Sequence, residues 1–149
     1  MFSPKNILVP TDFSEASDRA LNQALDIAEQ FHSRIYLLHV ITESLQRCGE
    51  DYCLDESIIK QWETASETAA RERLQKEVEK LAESRKVDIV FDVKRGFPSE
   101  MILQAQEEKG IDLIVISSRG RTTLMNFLLG SVARRVLKSA KCQVLLVKA

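Results

Sequence analysis

The chain of 149 residues has no excess of either charge: 21 Lys and Arg stand against 22 Asp and Glu, a formal net charge of -1. That balance excludes a general electrostatic pull toward nucleic acid or an anionic membrane surface, so any affinity for phosphate must come from a local site. Long apolar runs are absent; none approaches the roughly 18 residues of a membrane-crossing helix. The first residues, Met-Phe-Ser-Pro-Lys-Asn, lack the charged-then-apolar pattern of a secretory signal. Cysteine is scarce and odd in number, at Cys48, Cys53 and Cys142. Without a secretory signal these thiols suggest no disulfide framework, and a reducing cytoplasm is the expected compartment. Repeats, low-complexity tracts and interdomain linkers are missing too, so residues 1–149 are expected to form one domain, large enough for a sizeable core. Neither the G-x4-G-K-[S/T] phosphate loop nor the G-x-G-x-x-G dinucleotide fingerprint occurs.

What is present is an alternation of short apolar runs with helical periodicity. Asn6 to Pro10 is an apolar run ending in a breaker, which predicts a buried strand. Ser14 suits the N-cap of a helix whose apolar positions are Leu21, Ala24, Leu25, Ala28 and Phe31. Ile35 to Ile41 predicts a second strand. Thr42 to Glu56 breaks the pattern and reads as a long surface loop, holding Gly49, Cys48, Cys53 and the acidic residues Glu43, Glu50, Asp51 and Asp55. A helix from about Ser57 to Ser84 follows, with Ile58, Trp62, Ala65, Ala69, Leu74, Val78 and Leu81 as its expected buried stripe. Val87 to Val93 alternates apolar and acidic residues, as a charge-blunted edge strand does. Lys94 to Pro98 reads as a turn, with Pro98 in the first turn of a helix carrying Met101, Ile102, Ala105 and Gln106 and ending at Lys109-Gly110. Leu113 to Ser117 is a fourth strand, Val132, Ala133, Val136 and Leu137 mark a fourth helix, and Cys142 to Val147 is a fifth strand. The order β-α-β-α-β-α-β-α-β implies an α/β fold, a doubly wound parallel sheet with helices on both faces.

The stretch from Gly120 to Ser131 leads out of the fourth strand and into the last helix. Its two glycines permit close backbone approach, and a helix starting at Gly130-Ser131 would aim unpaired N–H groups at an anion. Arg119 and Arg121 stand at its front. This is the pattern of a phosphate site. Ligands of open α/β sheets bind beyond the carboxyl ends of the strands, where the strand order reverses. With the order 3-2-1-4-5, the loop Pro10-Thr11-Asp12 would face the loop from Ser117 to Gly120; with 2-1-3-4-5 it would not, and periodicity does not choose between them. In the first case Asp12 is an acceptor for a ribose hydroxyl or an adenine amino group, and backbone at Val40 can meet a base edge. Gly120, Arg121, Gly130 and Ser131 would hold phosphates. Each residue also has a plainer use: Asp12 as a helix cap, Gly130-Ser131 as a helix break and N-cap, the arginines as solvated charges.

The residues Lys5-Asn-Ile-Leu-Val-Pro-Thr-Asp-Phe-Ser14, Asp112-Leu-Ile-Val-Ile116, Leu128-Leu-Gly-Ser-Val-Ala-Arg-Arg-Val-Leu137 and Cys142-Gln-Val-Leu-Leu-Val-Lys148 together resemble the universal stress protein family across essentially the whole chain. Nucleotide-binding members carry the pattern G-x2-G-x9-G-[S/T]. Gly120, Gly130 and Ser131 match its later positions, while Ser117 stands at the first in place of glycine. The resemblance implies a five-stranded sheet in the order 3-2-1-4-5, similar to the adenine nucleotide alpha hydrolase fold. It also implies ATP, with or without Mg2+, between strands 1 and 4, and a homodimer. Asp12 and Val40 would serve adenine or ribose, and Gly120, Arg121, Gly130, Ser131 and Val132 phosphate. The role implied is regulatory and stress-linked, with at most slow ATP hydrolysis. A same-fold adaptor without nucleotide is the alternative, and Ser117 is the feature that separates the two. The dimer has an argument of its own: strand 5 would be an edge, and its apolar run Val144 to Val147 invites a two-fold partner strand. Cys48 and Cys53 read either as ordinary loop thiols or as a redox-sensitive lid; a zinc site would need more ligands than these and His39.

Overall fold

A computed structural model describes residues 1–42, 55–120 and 129–149. The elements are β1 (Asn6–Thr11), α1 (Glu15–Phe31), β2 (Arg34–Ile41), α2 (Glu56–Arg85), β3 (Asp88–Arg95), α3 (Pro98–Glu108), β4 (Leu113–Ser117), α4 (Ser131–Ser139) and β5 (Gln143–Val147). The sheet is parallel throughout, in the order β3-β2-β1-β4-β5. This decides between the two orders left open by periodicity.

Successive residues of a strand face opposite sides of the sheet. Ile7 and Val9 of β1 therefore join the cluster with Leu21, Ala24 and Leu25 of α1 and Leu74 of α2. Leu8 joins Ile102 of α3 and Ala133 and Val136 of α4 on the other side. Ser14 caps α1 as expected, its hydroxyl accepting the Ser17 N–H at 3.2 Å. α3 begins with Pro98, and Gly110 leaves the helix end at a φ of 58°.

The structure corrects the stripe expected for α2. Ile58 and Trp62 are 50% and 47% exposed, and Ala65 and Ala69 are exposed as well. Leu74, Val78 and Leu81 do face the core. Stepping back from Leu74 by threes and fours leads to Ala70, Ser66, Glu63 and Ile59, which are the residues turned inward. Ala69 lies five residues from Leu74, on a different face. The inward face of the first half of α2 is thus mixed, Ser66 and Glu63 lying between Ile59 and Ala70, and Arg95 donates to the Glu63 carbonyl at 2.9 Å. A smaller correction concerns β3. β3 runs on to Arg95 instead of turning at Lys94, because it stays paired with β2 as far as Ile41. α4 forms over the expected residues, with Ala133 and Val136 buried and Leu137 40% exposed. Among the described residues, no helix is long and apolar enough to cross a membrane.

Candidate functional site

The site originates in how β1 meets its two neighbours. β1 pairs with β2 from Asn6–Arg34 through Thr11–His39. With β4 it pairs at Ile7–Leu113 and Leu8–Ile114, after which the two strands part. Asp112 donates its N–H to the Asn6 carbonyl at 2.9 Å, so the even-numbered residues of β1 turn their peptide groups toward β4. Pro10 belongs to that set. Its missing N–H points into the gap, where no ladder bond is lost, which is why a proline is tolerated in a central strand. β2 shows the complementary feature. Arg34 donates to Lys5 of β1 and Ile41 accepts from Gly96 beside β3, so alternation turns the N–H and C=O of Val40 toward the β1 side. β1 pairing has ended one residue earlier, at His39.

Beyond Thr11 the chain turns sharply. Phe13 has a φ of 62°, a left-handed conformation that costs a bulky residue on the order of 1 kcal/mol. Phe13 donates its N–H to the Thr11 hydroxyl at 3.1 Å, and Ser14 donates its N–H to Asp12 Oδ1 at 3.0 Å. Thr11 is buried, its Oγ1 lying 3.2 Å from the hydroxyl of Ser17. His39 Nδ1–H donates to the Thr11 carbonyl at 2.8 Å. The Phe13 ring meets the His39 ring at a centroid distance of 4.4 Å and the Arg73 guanidinium at 4.1 Å. Near Arg73 on α2, burial and the charge of Asp18 push the Glu77 carboxyl above the usual carboxylate range, against the opposing pull of Arg73.

The facing loop leaves β4. Ser117 is buried, and its hydroxyl donates to the Arg119 carbonyl at 2.7 Å. Ser118 joins three segments. Its N–H donates to Val147 and its carbonyl accepts from Gly130, both at 2.8 Å, and its hydroxyl accepts the Ala149 N–H at 3.1 Å. Gly120 then passes so close to Asp12 that a Cβ there would lie 2.8 Å from Asp12 Oδ2. Only glycine fits without displacement. Gly130 is the N-cap of α4 and, having no side chain, offers no capping hydrogen bond to the first turn. The N–H groups and positive dipole end of α4 are left directed at the cleft. Ser131 is accordingly the first residue of the helix and not its cap.

These elements enclose a cleft of about 410 Å³, within the range of small-molecule sites. Pro10, Thr11, Asp12, Val40, Ser117, Arg119, Gly120, Gly130, Ser131 and Val132 all line it. Arg121 lies outside the described residues, as do Cys48 and Cys53 and the lid considered for them. Sequence reasoning missed the apolar wall made by Leu38, Ile102, Ile116 and Ala133, together with Pro98. The signal for that wall is the right-handed crossover, which lays α3 and α4 on the Leu8 side of the sheet. Cys142 sits at the other end of the strands, before β5, where burial pushes its thiol up.

The family model described as the universal stress protein family matches residues 4–148. Universal stress protein MJ0531 of Methanocaldococcus jannaschii is 37% identical over 150 residues, covering 97% of this chain and 82% of that one. The structure of universal stress protein UspA from Lactobacillus plantarum superposes with a TM-score of 0.80 at 24% identity, over 96% of this chain and 97% of that one. A universal stress protein crystallised in complex with cAMP gives a TM-score of 0.71 at 22% identity, over 99% and 98% of the two chains.

Proposed function

The chain belongs to the universal stress protein family, and on that premise we propose that it is an ATP-binding regulatory protein of the stress response, acting in the cytoplasm as a homodimer. The observation that carries the reading is the contact between the two loops. Gly120 has no room for a side chain against Asp12, and Gly130 leaves the start of α4 uncapped, so backbone N–H groups and one carboxylate border the same cleft. That donor set fits a nucleotide. The phosphates would meet the N–H groups of Gly120, Ser131 and Val132, with Gly130, whose own N–H is held by Ser118, leaving room beside them, and Arg119 and Arg121 adding positive charge. Asp12 would accept from a ribose hydroxyl. Backbone at Val40, one residue beyond the last β1–β2 pair, would meet the edge of adenine. The apolar wall would take the base. The structural neighbour in complex with cAMP supports the ligand class. A Mg2+ accompanying ATP would find one carboxylate, Asp12, among the described lining residues.

The role is one of holding a nucleotide and not of rapid turnover; any hydrolysis would be slow. The homodimer would form through the C-terminal strand, Cys142 to Val147. β5 is a sheet edge with Leu145 36% exposed, and a two-fold copy of the same strand would continue the ladder.

A second reading, an adaptor that holds no nucleotide and acts through protein partners, rests on Ser117 in place of the first motif glycine. The hydroxyl of Ser117 is directed at the carbonyl of Arg119 in its own loop, which weakens the case that it obstructs a phosphate. The test is to denature purified protein, identify any nucleotide released, and titrate ATP into wild type and Gly130→Leu. Wild type should release or bind adenine nucleotide, and Gly130→Leu should bind at least about tenfold more weakly. A wild type that releases none and binds none would leave the adaptor reading in its place.

A further inference from the structure

Phe13, between β1 and α1, carries a left-handed backbone. A bulky side chain at a φ of 62° persists only where the surroundings over-determine it. Two elements do so here. Arg73 of α2 lies 4.1 Å from the centroid of the Phe13 ring, and His39 of β2 meets the ring at 4.4 Å with the planes inclined by 38°. His39 is itself held by the Thr11 carbonyl, at 2.8 Å. The left-handed turn brings the two neighbouring N–H groups back on the preceding side chains: that of Phe13 to Thr11 Oγ1 at 3.1 Å, and that of Ser14 to Asp12 Oδ1 at 3.0 Å. With Oδ1 fixed by Ser14, Oδ2 comes to rest against Gly120.

We infer that Phe13 is a positioning residue for the cleft: its ring, held by Arg73 and His39, keeps the backbone left-handed, and that conformation aims the Asp12 carboxylate at Gly120. The inference rests on the nucleotide reading for what Asp12 meets in the cleft; the aiming belongs to the protein without ligand. It also draws α2 into the site, although no residue of α2 is among the described lining residues. Arg73 acts on the ligand through Phe13 and Asp12 in turn.

The test compares Phe13→Ala with Phe13→Gly in the full chain. Both variants remove the ring, but only glycine is at home at positive φ. Two quantities are read: the NMR titration of the Asp12 side-chain carboxyl carbon without nucleotide, and ATP affinity. Phe13→Gly should keep the wild-type Asp12 titration and bind ATP within about threefold of wild type, while Phe13→Ala should shift the titration and bind about tenfold more weakly. A packing role alone would make the two variants fall together, and that result in the Asp12 titration would overturn the inference. If wild type binds no ATP, the nucleotide reading fails and the Asp12 titration alone decides the positioning role. Should Phe13→Ala fail to fold, Phe13→Leu takes its place, keeping apolar bulk and the charge of Arg73 while removing the aromatic ring that Arg73 and His39 hold. It should shift the Asp12 titration, and an unshifted titration would overturn the inference.

Discussion

β1 is flanked by two parallel strands and uses them in opposite ways. Against β2 it stays in register to its last residue; against β4 it pairs for two residues and then separates. The paired flank is filled with fully buried side chains such as Leu37 and Ile35. The parted flank is bordered by Pro10, Asp12, Ser117 and the glycines. One strand thus carries structural cohesion on one side and ligand chemistry on the other. The division follows from topology: connections leave β1 and β4 toward opposite faces of the sheet, and the cleft lies between them.

That division can be tested from both sides, beginning with the largest expected effect. Leu37→Ala on the paired flank removes a side chain only 1% exposed and should cost about 3 kcal/mol in urea unfolding. ATP affinity per folded molecule should be unchanged; a matching loss of affinity would show that the two flanks are not separable. Gly120→Ala on the parted flank drives a Cβ against Asp12 Oδ2. Calorimetric titration should find ATP binding weakened about thirtyfold, or about 2 kcal/mol, with a smaller change in unfolding stability. The reverse pattern, a stability loss with intact affinity, would make Gly120 a folding residue. Ser117→Gly should do least. The hydroxyl is engaged within its own loop, so restoring the family glycine should change ATP affinity by no more than about threefold, or about 0.6 kcal/mol. A large gain would mean that Ser117 was obstructing the phosphates after all.

How much of this was legible beforehand depended on whether the controlling interaction was local. Short apolar runs announced the strands, and Ser14, Pro98 and Gly110 marked helix ends because caps and breakers act on their immediate neighbours. Which strands adjoin was not legible from periodicity; the family resemblance supplied 3-2-1-4-5. The stripe of α2 went astray because Ile58, Trp62, Ala65 and Ala69 are spaced like a buried face, yet lie out of phase with Leu74 and Val78. The inward face runs back from Leu74 through Ala70, Ser66 and Glu63, where Arg95 of the distant strand β3 donates to the Glu63 carbonyl. In the site, the glycines and Asp12 stood out by residue type. Phe13 did not, because nothing in its identity suggests a left-handed backbone; the cause lies in Arg73 and His39, both distant in sequence. The apolar wall from α3 and α4 was hidden for the same reason, being assembled by crossovers and not by any one segment.

The triple hydrogen bonding of Ser118 bears on how the protein should be handled at the bench. Ala149 is tied to the Ser118 hydroxyl and Val147 to the Ser118 N–H, while Gly130 is tied to the Ser118 carbonyl. An affinity handle or fluorophore attached after Ala149 would therefore pull on the loop beside the cleft and on the start of α4. One attached ahead of Met1, which is fully exposed near Asp112 and Cys142 at the opposite rim of the sheet, would leave that loop untouched. The two placements amount to a probe of the cleft and its control.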